Sequence, residues 1–89
     1  MKIKLELFGA SRDFSDKDHL ELNIKDKASI DDLRNEIIKY IDKNFKGNED
    51  FIKVVKSSAF CSENNEIISD NYKITKNQKI GIIPPIGGG

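Results

Sequence analysis

Hydrophobic and polar residues alternate along two segments near the start of the chain, and this period of two predicts β-strands. Residues 2–8 place three aliphatic side chains on one face and Phe8 on the other. Residues 18–25 repeat the alternation with leucine and isoleucine. We expect the two segments to pair as antiparallel strands, with residues 9–17 forming a polar loop between them.

A helical period follows the second strand. Ser29 is a favourable N-cap residue, and Asp31 and Asp32 fall in the first turn, where the helix dipole favours carboxylates. Apolar residues then recur at helical spacing as far as Phe45, and Gly47 is placed to end the helix in a left-handed conformation. The pattern predicts one long amphipathic helix that buries a single face.

The patterns after this helix are weaker. Residues 49–56 fit either a short helical turn or an irregular connection that inserts apolar side chains into the core. Residues 58–62 and Ile67–Ile68 predict two short strands, joined by a polar turn.

The last apolar run, residues 79–83, is rich in isoleucine and is typical of a central strand buried on both faces. A turn precedes it, in which Asn77 can take a positive φ angle. The order of elements predicts an α+β fold of the β-grasp, or ubiquitin-like, type. In this fold a mixed sheet of four to five strands packs on one main helix, with the first and last strands adjacent at the centre. We expect residues 1–83 to form this domain and residues 84–89 to form an extended tail.

Composition excludes several classes of function. Fifteen basic and fifteen acidic residues cancel, so we expect no nucleic-acid partner, because such binders need a basic excess. Cys61 is the single cysteine and His19 the single histidine, which excludes an internal disulfide and the usual zinc ligand set. We expect Cys61 to be a small buried hydrophobe and His19 an exposed strand residue.

No apolar stretch has the length of a membrane span and the first residues do not resemble a secretory signal, so a cytoplasmic location with no membrane partner is expected.

The final residues are the only part of the sequence in which we recognise a candidate reactive group. Pro84 and Pro85 fix φ near −65° and cannot continue a strand, so they direct the chain stiffly away from the sheet. The four residues from Ile86 to Gly89 reach at most about 13–14 Å when extended. Glycine-rich termini are commonly frayed ends. Here the prolines and the predicted fold favour a tail that carries the carboxylate of Gly89 into the active site of another protein.

The ending in residues 82–89, IIPPIGGG, resembles that of the molybdopterin synthase small subunit, a family of MoaD and ThiS-like sulfur carriers. The likeness extends upstream to residues 7–10, to Arg12 and to residues 29–34 at the start of the helix. The chain departs from the family at Phe60-Cys61, where a valine–asparagine pair is usual. It also departs at the turn before the last strand and at Gly87.

The resemblance implies a sulfur carrier that is not an enzyme on its own. An ATP-dependent, MoeB-like activating enzyme would adenylate Gly89, and a sulfur donor would convert it to a thiocarboxylate. Inside a MoaE-like large subunit, with which the carrier would form a heterotetramer, the sulfur would pass to a cyclic pterin phosphate precursor. The chain itself would bind no cofactor or metal, since ATP is used by the activating enzyme.

Residue roles follow from the same resemblance. Gly87 and Gly88 would give clearance in the partner's tunnel, while Pro84, Pro85 and Ile86 would thread the tail into it.

A docking patch for the partners is expected on the sheet face opposite the helix. Phe8 and Ile83 would form it, joined by Phe60, and Arg34 would meet an acidic partner. Ordinary core packing is an equal alternative for Phe8 and Phe60, and simple solvation is an alternative for Arg34.

Other functions stay open from the sequence. The tail would also serve a carrier for thiazole synthesis or tRNA thiolation, or a ubiquitin-like protein modifier. The proline pair favours the molybdopterin branch. A non-covalent β-grasp interaction domain with an incidental tail is the second alternative.

Overall fold

A computed structural model describes residues 1–85 of the chain. Its strands are β1 (Lys2–Leu7), β2 (His19–Asn23), β3 (Ala28–Ser29), β4 (Ala59–Cys61), β5 (Ile67–Ile68), β6 (Lys73–Ile74) and β7 (Gln78–Ile83). Its helices are a 3₁₀ helix (Gly9–Phe14), α1 (Ile30–Phe45) and α2 (Glu49–Ser57).

Five of these strands form one mixed sheet with the order β2-β1-β7-β4-β5. β1 is antiparallel to β2 and parallel to β7, and β7 is antiparallel to β4. The first and last strands are therefore neighbours and β7 is central, which confirms the predicted β-grasp architecture. β3 and β6 pair separately as a two-residue ribbon that the sequence pattern did not predict, because strands this short carry no periodicity.

One face of the sheet packs against α1 and forms the core. The alternating aliphatic residues of β1 and β7 all point to this side, and the apolar stripe of α1 covers them. The core side chains that are fully buried include Ile3, Leu5, Phe14, Ile30, Leu33, Ile37, Ile41, Val55, Phe60, Ile74, Ile80 and Ile82.

The start of α1 is fixed by a reciprocal capping box. The Ser29 hydroxyl accepts the Asp32 N–H at 3.0 Å, and the Asp32 carboxylate accepts the Ser29 N–H at 2.9 Å. At the other end, Lys46 and Gly47 both take left-handed conformations, with φ of 53° and 69°. The predicted cap and the predicted left-handed end at Gly47 are both confirmed.

Two connections contain more helix than the sequence predicted. The ambiguous segment after α1 is the nine-residue helix α2, capped by the side chain of Asn48. The predicted polar loop after β1 contains a 3₁₀ helix whose Phe14 is fully buried, 5.1 Å from the ring of Phe51. A single apolar residue among polar neighbours produces no hydrophobic period, so the sequence pattern did not indicate this helix. The prediction of a polar loop was wrong over Gly9–Phe14.

The turn before β7 also differs from expectation. Asn77 does not take a positive φ; instead its side-chain oxygen accepts the N–H of Lys2 at 2.8 Å. This bond ties the turn to the start of β1. The left-handed asparagine is Asn65, with φ of 62°, in the turn between β4 and β5.

The capping box predicts a pH dependence of stability. The hydrogen bond from the Ser29 N–H lowers the pKa of Asp32 below its ordinary value of 3.8. A depressed folded-state pKa contributes stability that is present above the ordinary value and is lost as the pH falls through the folded-state value. We expect Asp32→Asn to be less stable than the wild type at neutral pH and to approach it below pH 3.8. Urea unfolding at both pH values measures this, and an equal gap at both would contradict it.

Candidate functional site

β7 carries the chain from the core towards the predicted tail. Ile80 and Ile82 are fully buried in the core that α1 covers. Pro84 is buried as well, whereas Pro85 is exposed. A side chain at Gly9 would place its Cβ 3.9 Å from the ring of Pro84, so this proline packs against the start of the 3₁₀ helix. The chain thus leaves the sheet with one proline packed against the domain and the next in solvent.

The residues predicted to carry the reaction lie beyond this point. Ile86, Gly87, Gly88 and Gly89 are outside the described residues. The threading role and the thiocarboxylate at Gly89 therefore stay predictions.

The sheet face opposite α1 carries an apolar patch beside this exit. Residues that alternate with the buried positions point outwards, and we call the following set the outer patch: Phe8, Ala59, Cys61, Ile67, Gly81 and Ile83. Phe8 is 45% exposed and Ile67 is 67% exposed. The predicted placement of Phe8 and Ile83 on one face is observed, while their role in binding a partner stays a prediction.

Phe60 does not belong to this patch. It pairs with Ile82, faces α1 and is 1% exposed, so the alternative of core packing is confirmed for Phe60 and its place in a docking patch was wrong. Cys61 takes the outward position instead, opposite Gly81 in the neighbouring strand, and is 6% exposed. Side chains alternate across a strand, so only one of these two adjacent residues can face the core.

Arg34 also has a different role from the expected one. Its side chain is 13% exposed, and its guanidinium donates hydrogen bonds to the carbonyl of Val55 at 2.7 Å and to that of Ser58 at 2.8 Å. It also donates to the carboxylate of Asp70 at 2.8 Å and lies 4.9 Å from the ring centroid of Phe60. The expectation of a guanidinium free for an acidic partner was wrong, because Arg34 joins the end of α2 to the start of β4.

Gly81 was not predicted as a site residue, although it shapes the outer patch. A Cβ at this position would lie 2.7 Å from the Cys61 sulfur and 3.0 Å from Cε2 of Phe8. The distance to the sulfur is shorter than a real Cβ contact, and the distance to the ring is at the tight limit of such contacts. The ring and the sulfur therefore occupy space that a side chain at position 81 would need. An isolated glycine inside a strand pattern is the sequence signal for a close approach of this kind.

Charged residues border the outer patch. Lys79 forms an ion pair with Glu6 at 3.1 Å, next to Gly81 in the sheet register. Farther along the edge, the ring of His19 hydrogen-bonds to Asp18 at 3.0 Å, and this bond lowers the pKa of the Asp18 carboxyl. His19 begins the edge strand β2 and is partly exposed, close to its expected placement.

Comparison with known proteins identifies the family. The model of the ThiS family matches residues 5–89, which is nearly the whole chain. The chain belongs to the ThiS family. It is therefore a ubiquitin-like sulfur carrier of the ThiS and MoaD kind, as the resemblance predicted. A search of curated proteins finds no match to this sequence.

Solved structures agree with this carrier fold. Molybdopterin converting factor subunit 1 from Pyrococcus furiosus is 24% identical, with a TM-score of 0.69 over 96% of this chain and 98% of that one. Small archaeal modifier protein 1 from Haloferax volcanii is 10% identical, with a TM-score of 0.67 over 96% and 98%.

Subunit 1 of the molybdopterin-converting factor from Helicobacter pylori, solved in complex with subunit 2, is 19% identical, with a TM-score of 0.58 over the full length of both chains. At these identities the likeness establishes the fold. Residues 1–85 of the carrier contain no helix that is long and apolar enough to cross a membrane.

Arg34 of the carrier gives a test of stability. We expect Arg34→Ala to lower the free energy of unfolding by about 2–3 kcal/mol, because the carbonyls of Val55 and Ser58 lose a charged donor. Arg34→Lys should recover only part of this, since an ammonium cannot reproduce the planar fork. Asp70→Asn, which removes only an exposed partner, is the control and should cost less than about 1 kcal/mol. Equal losses in Arg34→Ala and Asp70→Asn, measured by urea unfolding, would contradict this role.

Gly81 gives a second test. We expect Gly81→Ala to destabilise the carrier by about 1–3 kcal/mol, because the new Cβ overlaps the Cys61 sulfur and the Phe8 ring. In the background of Cys61→Ala the same substitution should cost less, since the shorter of the two contacts is gone. Thermal and urea unfolding of the four proteins measure the coupling. Additive effects would show that the close contact between positions 81 and 61 has no energetic weight.

Proposed function

We propose that this protein is the sulfur-carrier small subunit of a molybdopterin synthase and that Gly89 carries the sulfur. The observation that carries the proposal is the exit of the chain at Pro84 and Pro85, beside the outer patch, in a chain whose family match runs through Gly89. Pro84 is packed and Pro85 is exposed, and both have a fixed φ, so the chain is stiff at the point where the proposed tail begins. The patch lies where a partner receiving the tail would make contact.

The first step of the proposed chemistry activates the Gly89 carboxylate. A carboxylate is a poor electrophile, so an activating enzyme of the MoeB-like class transfers AMP from ATP to it and releases pyrophosphate. A hydrosulfide equivalent from a sulfur donor then attacks the acyl carbon and displaces AMP. The product is a C-terminal thiocarboxylate, and ATP is used by the activating enzyme rather than held by the carrier.

The second step transfers the sulfur. A thiocarboxylate is ionised at neutral pH, unlike an ordinary thiol, and is a soft nucleophile. In a MoaE-like large subunit its sulfur attacks a side-chain carbon of the cyclic pterin phosphate precursor, and a carbon–sulfur bond forms as a carbon–oxygen bond at the same carbon breaks, with the oxygen leaving as water or with the opened phosphate. Water then cleaves the acyl–sulfur bond, so that the carboxylate of Gly89 is regenerated and the sulfur stays on the pterin. Two such transfers supply the dithiolene that binds molybdenum.

The tail composition suits this task. Gly87, Gly88 and Gly89 lack a Cβ, so an extended tail passes through a channel that would exclude other residues. The partner then supplies the acid–base groups and the walls of the site, and the carrier supplies the reactive group. The complex of the two converting-factor subunits from Helicobacter pylori supports a large-subunit partner, which we propose forms a heterotetramer with this carrier.

A second candidate keeps the carrier chemistry and changes the acceptor. The matching family is described only as ThiS, so a carrier for thiazole synthesis or tRNA thiolation fits the same family match. The fold shared with a small archaeal modifier protein favours attachment to lysine side chains as a further outcome to test.

The tail test measures the C-terminal chemistry directly. After incubation with an activating enzyme, ATP and a sulfur source, we expect the intact mass to rise by the difference between sulfur and oxygen. Deleting Gly89 shortens the tail by about 3.3–3.6 Å and should reduce sulfur loading at least about 100-fold, since small misplacements of a reacting group have effects of that size.

The control is the stability of the same variants. Deletion of Gly89, or addition of one residue after it, should leave the melting temperature nearly unchanged because neither change touches the core. Undiminished loading of the extended protein would overturn the carrier role. Loading without sulfur transfer to the pterin precursor in the presence of a large subunit would favour another acceptor, and isopeptide adducts on lysines would identify a modifier.

A further inference from the structure

Phe8 is the exposed aromatic residue of the outer patch, and its backbone is held on both sides by one buried hydroxyl. The Phe8 N–H donates to Oγ of Ser11 at 2.9 Å, and Oγ of Ser11 donates to the Phe8 carbonyl at 2.7 Å. Ser11 is fully buried at the start of the 3₁₀ helix. Its hydroxyl therefore acts as donor and acceptor to the same residue, which fixes the backbone of Phe8 in an extended conformation with φ of −125°.

The ring of Phe8 is positioned from the neighbouring strand. It lies over Gly81, where a Cβ would come within 3.0 Å of Cε2. The missing side chain lets the ring lie across the surface of β7 instead of standing away from the sheet. Close packing on one side restricts the rotamers of a side chain that solvent would otherwise leave free.

An aromatic side chain fixed before binding makes a stronger anchor than a mobile one. Ordering a free side chain at an interface costs about 0.5–1.5 kcal/mol, which is a factor of about two to ten in affinity. Phe8 has the features of such an anchor, since it is apolar and half-exposed, and the ion pair between Glu6 and Lys79 lies next to Gly81, which its ring covers. A cleft of about 200 Å³ beside it is lined in part by Glu6 and Arg12.

We propose that Ser11 and Gly81 are positioning residues that hold Phe8 as a fixed apolar contact for the activating enzyme, which has to take up the adjoining tail in order to adenylate Gly89. This inference rests on the proposed carrier function. Ser11 acts through the backbone of Phe8 and Gly81 acts through its ring, so neither needs to touch the partner. Their effect should appear in the concentration of carrier that the enzyme requires and not in the turnover of bound carrier.

The free protein provides the first test. In the wild type, NMR should show nuclear Overhauser contacts between the Phe8 ring protons and the Gly81 α-protons. Ser11→Ala should weaken these contacts. Ser58→Ala is the matched control, because Ser58 is also a buried serine whose hydroxyl bonds to a backbone carbonyl, that of Val54, away from Phe8. Unchanged contacts in Ser11→Ala would overturn its positioning role.

Kinetics with the activating enzyme of the same organism and ATP provide the second test. Carrier-dependent release of pyrophosphate gives KM and kcat for each variant. We expect Phe8→Ala to raise the KM for the carrier by at least about tenfold, as loss of a buried aromatic anchor does. Ser11→Ala should raise KM by about two- to tenfold at unchanged kcat, the factor for ordering one side chain. Ser58→Ala should change neither constant.

A double-mutant cycle separates positioning from general destabilisation. If Ser11 acts through Phe8, Ser11→Ala should have no further effect on KM in the Phe8→Ala background. Should Ser11→Ala fail to fold, the pair Cys61→Ala and Cys61→Ala/Gly81→Ala replaces it. That pair removes the contact with sulfur and leaves only the contact with the ring, so KM should rise in the double variant alone.

The outcomes distinguish this inference from the carrier function. Adenylation of the wild type with a KM that Phe8→Ala does not change would overturn the inference and leave the carrier function standing. Additive effects of Ser11→Ala and Phe8→Ala would overturn the positioning role alone. A wild-type protein that is not adenylated at all would overturn both.

Discussion

The parallel pairing of β1 with β7 brings two distant parts of the chain to one edge of the sheet. Leu7 and Ile82 are partners in the register, so the next residues, Phe8 and Ile83, follow side by side as both strands end. β7 lies between β1 and β4 in the sheet, and its Ile80 and Ile82 side chains are completely buried on the face that α1 covers. A strand held on both sides is a firm base for the residues that follow it, because it cannot fray without breaking hydrogen bonds to two neighbouring strands.

The directed exit depends on this base. Pro84 has no N–H to donate, so the ladder stops there without leaving a buried donor unpaired. Its ring packs against the turn at Gly9, which has a φ of +54° and joins β1 to the 3₁₀ helix. The segment after β1 therefore serves two purposes. It supports the first residue of the tail, and through Ser11 it holds Phe8 at the border of the outer patch.

The sequence predicted the long elements because each has a period and a terminator. α1 has an apolar stripe, a capping serine and a left-handed end, and β1, β2 and β7 have alternation or a continuous apolar run. The 3₁₀ helix and α2 were missed or left open because their folding depends on contacts distant in sequence. Phe14 is buried by Phe51, and the hydroxyl of Tyr40 donates to the Phe14 carbonyl at 2.7 Å. Such partners cannot be read from neighbouring residues.

The candidate site also combines features that local sequence determines with features that depend on contacts distant in sequence. The tail motif is local, because proline and glycine act through their own backbones, so the sequence alone predicts an extended tail, which stays a prediction beyond Pro85. The patch is not local: whether Phe60 or Cys61 faces outwards depends on the register of β4 against β7, and a shift of one residue would exchange them. Arg34 looked like a solvated helix residue because its acceptors, Val55 and Ser58, lie more than twenty positions away.

Glycine has two different uses in this carrier, and they have opposite requirements. In the tail, Gly87–Gly89 have no side chains, and this suits the passage into a partner that we propose for them. At Gly81, the space that a side chain would occupy is taken by the Phe8 ring and the Cys61 sulfur of the same domain. Glycine in a strand weakens it by roughly 0.5–1 kcal/mol, and the ring that covers Gly81 offsets part of that cost. An aromatic side chain at the surface thus covers the central strand, and the same ring is the contact that we propose for a partner.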